Sequence, residues 1–171
     1  RQAHRLALVC SARQEDPRRH LNLAQDLGLN DGDVVVTGFV PESDLVAFYN
    51  LCALFAFPSW HEGFGLPALE AMQCGAVVIG ANTSSLPEVI GRDDALFNPR
   101  DESLIAAKMA QALTDKAFRT ELAEHGLRQA KKFSWDESAR RALDGFEALH
   151  DVTARRRTVE KKSRNTRPRL A

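Results

Sequence analysis

Apolar positions in this chain fall into short blocks separated by longer amphipathic stretches. Arg5 to Cys10, Val34 to Thr37, Leu54 to Phe57, Val77 to Ile79 and Ala95 to Phe97 read as brief buried strands. Between them the apolar spacing turns helical. Asp16 sits at an N-cap position with Pro17 behind it, opening a helix that ends near Gly28. Ser43 is placed to cap a helix whose apolar face is Leu45, Val46, Phe48, Tyr49 and Cys52. Pro67 to Cys74 forms another helix and stops at Gly75, a residue suited to the left-handed turn after a helix. Leu86 to Ile90 is a short helix.

After Pro99 the pattern is purely helical. Helices are predicted over 102–114 and 116–132, and Ser134-Trp135-Asp136-Glu137 reads as a capping box that starts a third. That last helix runs to about His150 and then frays. Apolar strands alternating with helices predict an α/β fold, a Rossmann-like parallel sheet with helices on both faces. The helical extension follows it. Residues 1–150 form one domain, and 151–171 are expected to be a basic, disordered tail.

Composition changes this picture little, and charge changes it locally. Of 171 residues, 44% are apolar and 27% charged, ordinary proportions for a globular protein. Net charge is zero, so the whole molecule carries no nucleic-acid signature. The tail differs. Residues 151–171 hold eight Arg or Lys against Asp151 and Glu160, which leaves a balance of −6 on the rest. A basic cluster of this kind is attracted to anionic lipid, by about 1 kcal/mol per residue near the surface. Cys10, Cys52 and Cys74 lie in apolar settings without metal-ligand spacing and read as buried, reduced thiols. With no apolar run near the ~18 residues that span a bilayer, the expected location is the cytoplasm, with peripheral contact at the inner face of the membrane through the tail. The chain begins with Arg1, and it is expected to be a piece of a longer protein.

The chemistry concentrates in HEGFGLPALEAMQCG, residues 61–75. Glu62 and Glu70 flank Gly63, Gly65 and Pro67. Glycine lets backbone N–H groups approach a ligand, and Pro67 suits the start of a helix. The helix N-terminus offers N–H groups and positive dipole to an anion. A phosphate-bearing ligand is the implied partner, with Glu62 in the loop and Glu70 in the first helical turn. Gly38 and Val40 follow one strand end, and Thr83, Ser84 and Ser85 follow another, where open α/β sheets bind ligands. His61 lacks a second histidine four residues on, where Gly65 stands, so a zinc-protease pattern is rejected and no metal is expected.

The ordered set Pro58, Ser59, Glu62, Gly63, Phe64, Gly65, Leu66, Pro67, Glu70, Ala71, Met72 and Gly75 resembles the donor-binding half of retaining glycosyltransferases of family four, with the GT-B fold. The likeness extends to Gly38-Phe39-Val40-Pro41, Leu86-Pro87-Glu88-Val89 and Phe133-Ser134-Trp135. It implies half of a GT-B fold and transfer of a sugar from a nucleotide diphosphate donor to a glycan or lipid-linked acceptor. Glu70 would then accept hydrogen bonds from ribose hydroxyls, and Glu62 would serve the transfer itself. Gly63, Phe64, Gly65 and Leu66 would present N–H groups to the sugar and diphosphate. Gly38 and Val40 would meet the base, and Thr83 and Ser84 the diphosphate.

No cofactor is implied beyond the donor itself. GDP-mannose is the first choice, because Leu8-Val9-Cys10 and the run from Asn82 to Gly91 resemble bacterial polysaccharide mannosyltransferases; a UDP-sugar is the other. The resemblance also places the acceptor on an N-terminal domain, and two diphosphate-binding cations, ahead of residue 1. Arg13 is a candidate for one further charge. The alternative is a non-catalytic nucleotide-sugar-binding module or assembly subunit. A phosphorylase-like relative would need a cofactor lysine, and no Lys precedes Lys108.

Overall fold

Each apolar block becomes a strand, and each is short because glycine, proline or a polar cluster closes it. The computed structural model describes residues 5–9 and 16–165. In order these are β1 (Leu6–Val9), α1 (Pro17–Asp26), β2 (Val34–Gly38), α2 (Glu42–Leu51), β3 (Phe55–Phe57), α3 (Leu66–Gln73), β4 (Val78–Ala81) and α4 (Leu86–Ile90). A single 3-10 turn, Asp93–Ala95, leads into β5 (Leu96–Phe97). Then come α5 (Glu102–Thr114), α6 (Lys116–Ala130) and α7 (Trp135–Asn165). Cys10 and Arg13 lie outside the described residues.

All strand pairs are parallel, as the alternating pattern predicts. They form two sheets among the described residues. β1 pairs with β2, with Leu6 opposite Val34. β4 lies between β3 and β5, with Phe55 opposite Val78 and Gly80 opposite Leu96. Among the described residues the strands of the expected parallel sheet lie in two groups, since β1 and β3 do not pair with one another. Apolar patterning specifies which residues are strands, not which strands are neighbours.

The core belongs to the larger sheet. Met72, Ile79, Leu86, Val89 and Ile90 are fully buried there. The inner face of α3 is Ala68, Leu69, Ala71 and Met72. Against it lies α6, whose buried residues Phe118, Leu122, Gly126 and Ala130 recur at helical spacing. Gly126 permits the approach: a Cβ there would stand 3.1 Å from Met72 Cγ. By contrast Leu6, Val9, Leu21, Leu23 and Val35 of the β1–α1–β2 unit are exposed.

Local signals vary in their accuracy. Asp16 caps α1, accepting from the Arg18 N–H at 3.0 Å. Gly75 adopts φ 77° directly after α3, as expected. Ser43 does not cap α2, however. The helix begins two residues earlier with Pro41 at the cap, and the Ser43 hydroxyl turns to Asp44 at 3.3 Å. The capping box at α7 is half made. Ser134 Oγ accepts from the Glu137 N–H at 3.4 Å, but the Glu137 carboxylate is taken by Arg140 and Arg141.

α7 also runs on past His150 to Asn165, where a disordered tail was expected. No glycine or proline interrupts 146–165, and Ala, Arg, Glu and Lys in that stretch favour a helix. The thiols of Cys52 and Cys74 are free and half-buried rather than buried. Burial pushes the Cys52 thiol up from its ordinary pKa.

The joint between α4 and α6 yields a stability test. Gly91 has φ 64°, and a Cβ there would come within 2.4 Å of Gln129 Nε2. That amide donates to the Glu88 carbonyl at 3.0 Å, while Gln129 Oε1 accepts from Lys132 at 2.7 Å. Gly91→Ala must strain the backbone and displace this bridge, which should cost about 2 kcal/mol. The expected fall in melting temperature is about 4–8 °C for a chain of this size. Gly145→Ala, in α7 with open space around it, should leave the melting temperature unchanged or raise it.

Candidate functional site

The site assembles where β3 and β4 end side by side. Phe57 lies opposite Gly80, so the chains leaving the two strands run as neighbouring loops, 58–65 and 82–85. Four hydrogen bonds join them. Thr83 Oγ1 donates to the Ser59 carbonyl at 3.0 Å. The Glu62 N–H donates to Ser84 Oγ at 2.9 Å. Ser85 Oγ donates to the Glu62 carbonyl at 3.2 Å and the Phe64 carbonyl at 2.7 Å. Glu62 is thus held through both of its backbone groups, while its carboxylate stays half-buried.

This clamp uses a strained residue. Ser84 has φ 50°, a left-handed conformation unusual outside glycine. The bond it accepts from Glu62 helps to hold it there. Gly65 has φ 98° and caps α3. A Cβ at Gly65 would meet Leu86 Cδ2 at 2.7 Å, so both conformation and space require glycine. Phe64 packs its ring edge-on to Phe133 at 5.5 Å between centroids.

Between the clamp and the helix the backbone offers donors. Among the described residues, the N–H groups of Gly63, Phe64, Gly65 and Leu66 have no protein acceptor. A Cβ at Gly63 would meet nothing within 4 Å, so this stretch is open on that side. Consecutive unpaired N–H groups ahead of a helix suit an anion or an array of oxygen acceptors.

Glu70 stands elsewhere than expected. Because α3 begins at Leu66, Glu70 is the fifth helical residue and lies in the second turn, not the first. The reason is Gly65, whose left-handed conformation starts the helix one residue before Pro67. Dipole stabilisation fades beyond the first turn, so it does not account for this carboxylate. A side chain does: Tyr49 Oη on α2 donates to Glu70 Oε2 at 3.1 Å. Tyr49 is only 5% exposed, and burial, followed by the Glu70 charge, holds its hydroxyl far above the ordinary tyrosine pKa. The hydroxyl is therefore a permanent donor.

The sequence-predicted residues fall into three groups. Glu62, Gly63, Phe64, Gly65 and Leu66 share one loop, bonded to Thr83 and Ser84. Those two hydroxyls brace the loop. Glu70 lies one turn along α3. Gly38 and Val40 occupy the turn from β2 into α2, and α2 carries Tyr49 to Glu70. By its spacing Tyr49 is only one member of an apolar face; its distinguishing signal is a phenol that needs a partner when buried. Trp60 and Arg100 were also missed. The Arg100 guanidinium lies 5.3 Å from the Trp60 ring centroid, bringing a cation beside the loop. They are distant in sequence, and only the shared sheet relates them, since β3 and β5 flank β4 and end on the same side.

Comparison with known proteins gives the family and the fold. The profile of the family described as Glycosyl transferases group 1 matches residues 2–129. Over 148 residues the chain is 51% identical to the Serotype-specific mannosyltransferase WbdA of Escherichia coli, covering 86% of this chain and 18% of that protein. The chain thus spans less than a fifth of that relative's length. Sucrose-phosphate synthase from Thermosynechococcus elongatus superposes with a TM-score of 0.74 and 28% identity, over 86% of this chain and 39% of that one. HepE of Anabaena, solved in complex with UDP and glucose, gives 0.73 over 84% and 40%; at 22% identity this shows the fold alone.

Ser85 tests the clamp. Ser85→Ala removes the donor to both Glu62 and Phe64 and should cost about 1–2 kcal/mol of stability. Hydrogen exchange at 60–65 should accelerate more than exchange in α6. Uniform exchange rates across the two segments would show that the loop is held by other means.

Proposed function

The chain belongs to the glycosyl transferases group 1, and from that premise we propose that residues 1–150 form the donor-binding half of a retaining glycosyltransferase. The reaction moves a sugar, first choice mannose, from a nucleotide diphosphate donor to a glycan or lipid-linked acceptor. The observation that carries this reading is the 62–70 segment. It combines a carboxylate fixed by its own backbone, four free N–H groups, and a second carboxylate held from behind by a phenol. The naming of the Escherichia coli relative as a mannosyltransferase supports GDP-mannose over a UDP-sugar. UDP and glucose in HepE, a protein of the same fold, support a nucleotide-sugar occupant.

In this reading the donor lies across the carboxyl ends of β3 and β4. The Glu70 carboxylate accepts from ribose hydroxyls, for which an ionised carboxylate has ample acceptor capacity. The Gly38–Val40 turn meets the base. The N–H groups of residues 63–66 meet sugar and diphosphate oxygens. As the anomeric C–O bond breaks, negative charge builds on the departing diphosphate, and preorganised donors stabilise it. The acceptor hydroxyl oxygen then bonds to the anomeric carbon on the same face, and its proton passes to the departing diphosphate oxygen. Glu62 acts beside the sugar, where its effect is felt in the transition state. The acceptor and further cations come from a domain outside this chain, and the activity needs no metal.

Two variants in the longer enzyme test the division of labour. Glu70→Ala should raise the dissociation constant for free GDP by about ten-fold or more, since hydrogen bonds to a charged group contribute about 1.5–3 kcal/mol. Glu62→Ala should leave that constant nearly unchanged and depress turnover. Equal weakening of GDP binding by both variants would refute the assignment. The anomeric configuration of the product, read by NMR, checks retention.

A peripheral membrane contact is proposed for α7. Leu143, Phe146, Leu149 and Val152 are exposed along it, and the basic residues of 151–171 follow in the sequence. Exposed apolar side chains followed by a basic segment suit an anionic bilayer surface. Sedimentation should recover the chain with phosphatidylglycerol vesicles and not with phosphatidylcholine vesicles. Truncation after His150 should abolish that recovery, and retention of binding by the truncated chain would disprove the role of this segment.

A further inference from the structure

The donor-site reading assigns ribose to Glu70 but leaves open what aims a half-buried, flexible carboxylate. We propose that Tyr49 is a positioning residue, whose hydroxyl fixes the Glu70 carboxylate in the orientation that receives the ribose. This proposal rests on the donor-site reading above.

Three observations support it. First, Tyr49 is itself immobilised. Its ring is buried on α2 and meets Phe55 edge-on at 5.4 Å, and Phe55 in turn stacks on Phe57 at 5.8 Å. The phenol oxygen is therefore a fixed point at the end of a packed aromatic row. Secondly, that oxygen reaches only one carboxylate oxygen, Oε2, at 3.1 Å. The other oxygen is left with its lone pairs for a ligand. A free glutamate loses substantial rotamer entropy when it is ordered, and here part of that cost is met before any ligand arrives. Thirdly, the donor is neutral. An arginine in this place would orient the carboxylate but also offset its charge; a phenol orients it and leaves the charge intact for ribose hydroxyls. Burial and the adjacent carboxylate keep the phenol protonated.

The placement has a further consequence. Tyr49 lies on α2, which begins directly after the Gly38–Val40 turn. One rigid helix thus connects the turn assigned to the base with the carboxylate assigned to the ribose. The spacing between those two contacts is then set by the length of α2, not by a loop.

The competing account is that the bond merely satisfies a buried phenol. GDP and 2′,3′-dideoxy-GDP separate the two. Dissociation constants for both are measured by calorimetry on the longer enzyme as wild type, Tyr49→Phe, Glu70→Ala and the double variant. Tyr49→Phe keeps the ring and its contact with Phe55. It should weaken GDP about five-fold, the loss of one ordinary hydrogen bond, and leave dideoxy-GDP unchanged. The double variant should bind GDP no more weakly than Glu70→Ala.

Equal weakening of both nucleotides by Tyr49→Phe, or losses that add in the double variant, would reduce Tyr49 to a structural residue. An unchanged affinity for GDP would remove its role altogether. If Glu70→Ala leaves the preference for the ribose form intact, or GDP does not bind, the donor-site reading fails first and this assignment with it.

A second measurement does not require the Phe variant to fold. Tyr49 is the single tyrosine of the chain, so 3-fluorotyrosine gives one fluorine resonance. GDP should shift that resonance in the wild-type chain and not in Glu70→Ala. A shift that persists without the Glu70 carboxylate would contradict the coupling.

Discussion

The burial of α3 between its sheet and α6 is the constraint from which the site follows. Met72 is almost wholly enclosed, and α6 comes close enough to enclose it only because residue 126 has no side chain. Burying a methionine contributes about 1.5–3 kcal/mol, and three further inner-face residues of α3 add to it. With its inner face committed, α3 cannot rotate. Its N-terminus must then point along the carboxyl ends of β3 and β4, with Glu70 turned toward α2. A helix seated this firmly provides a rigid end against which a loop can be shaped.

The loop is shaped by hydrogen bonds rather than by packing. Phe64 is exposed, and Gly63 has open space beside it. The loop's conformation comes from the hydroxyls of Thr83, Ser84 and Ser85, which bond its backbone across a gap of more than twenty residues. The left-handed conformation of Ser84 is part of that arrangement, a local cost borne where the site needs it. Packing positions the helix and polar groups position the loop, so a backbone rich in unpaired N–H groups persists in a stable fold.

Much of this was legible in the sequence, for reasons tied to particular residues. Asp16 and Pro17 start α1, and Gly75 ends α3, because cap and turn chemistry act over three or four residues. The span Leu86–Ile90 was placed correctly because a proline opens it and a glycine closes it. Errors arose where a local signal was overruled. Ser43 was an attractive cap, but Pro41 started α2 sooner. Pro67 predicts a helix that opens there with Glu70 in its first turn, whereas Gly65 caps the helix one residue earlier. The end of α7 was placed at His150 because a dense run of like charge favours disorder, yet the absence of any breaker lets the helix continue.

The linear order of residues by itself determined the strands, most helices, and the loop that carries Glu62 and its glycines. These depend on periodicity and on backbone conformations that glycine and proline impose locally. Only the tertiary structure decided that five strands would divide into two sheets, that three hydroxyls would brace one loop, that Arg100 would lie over Trp60, and that Tyr49 would hold Glu70. Each of these contacts joins residues far apart in the chain. Which strand ends lie together, and which buried phenol meets which carboxylate, follows from the packing of helices on a sheet, and no pattern within a single segment encodes it.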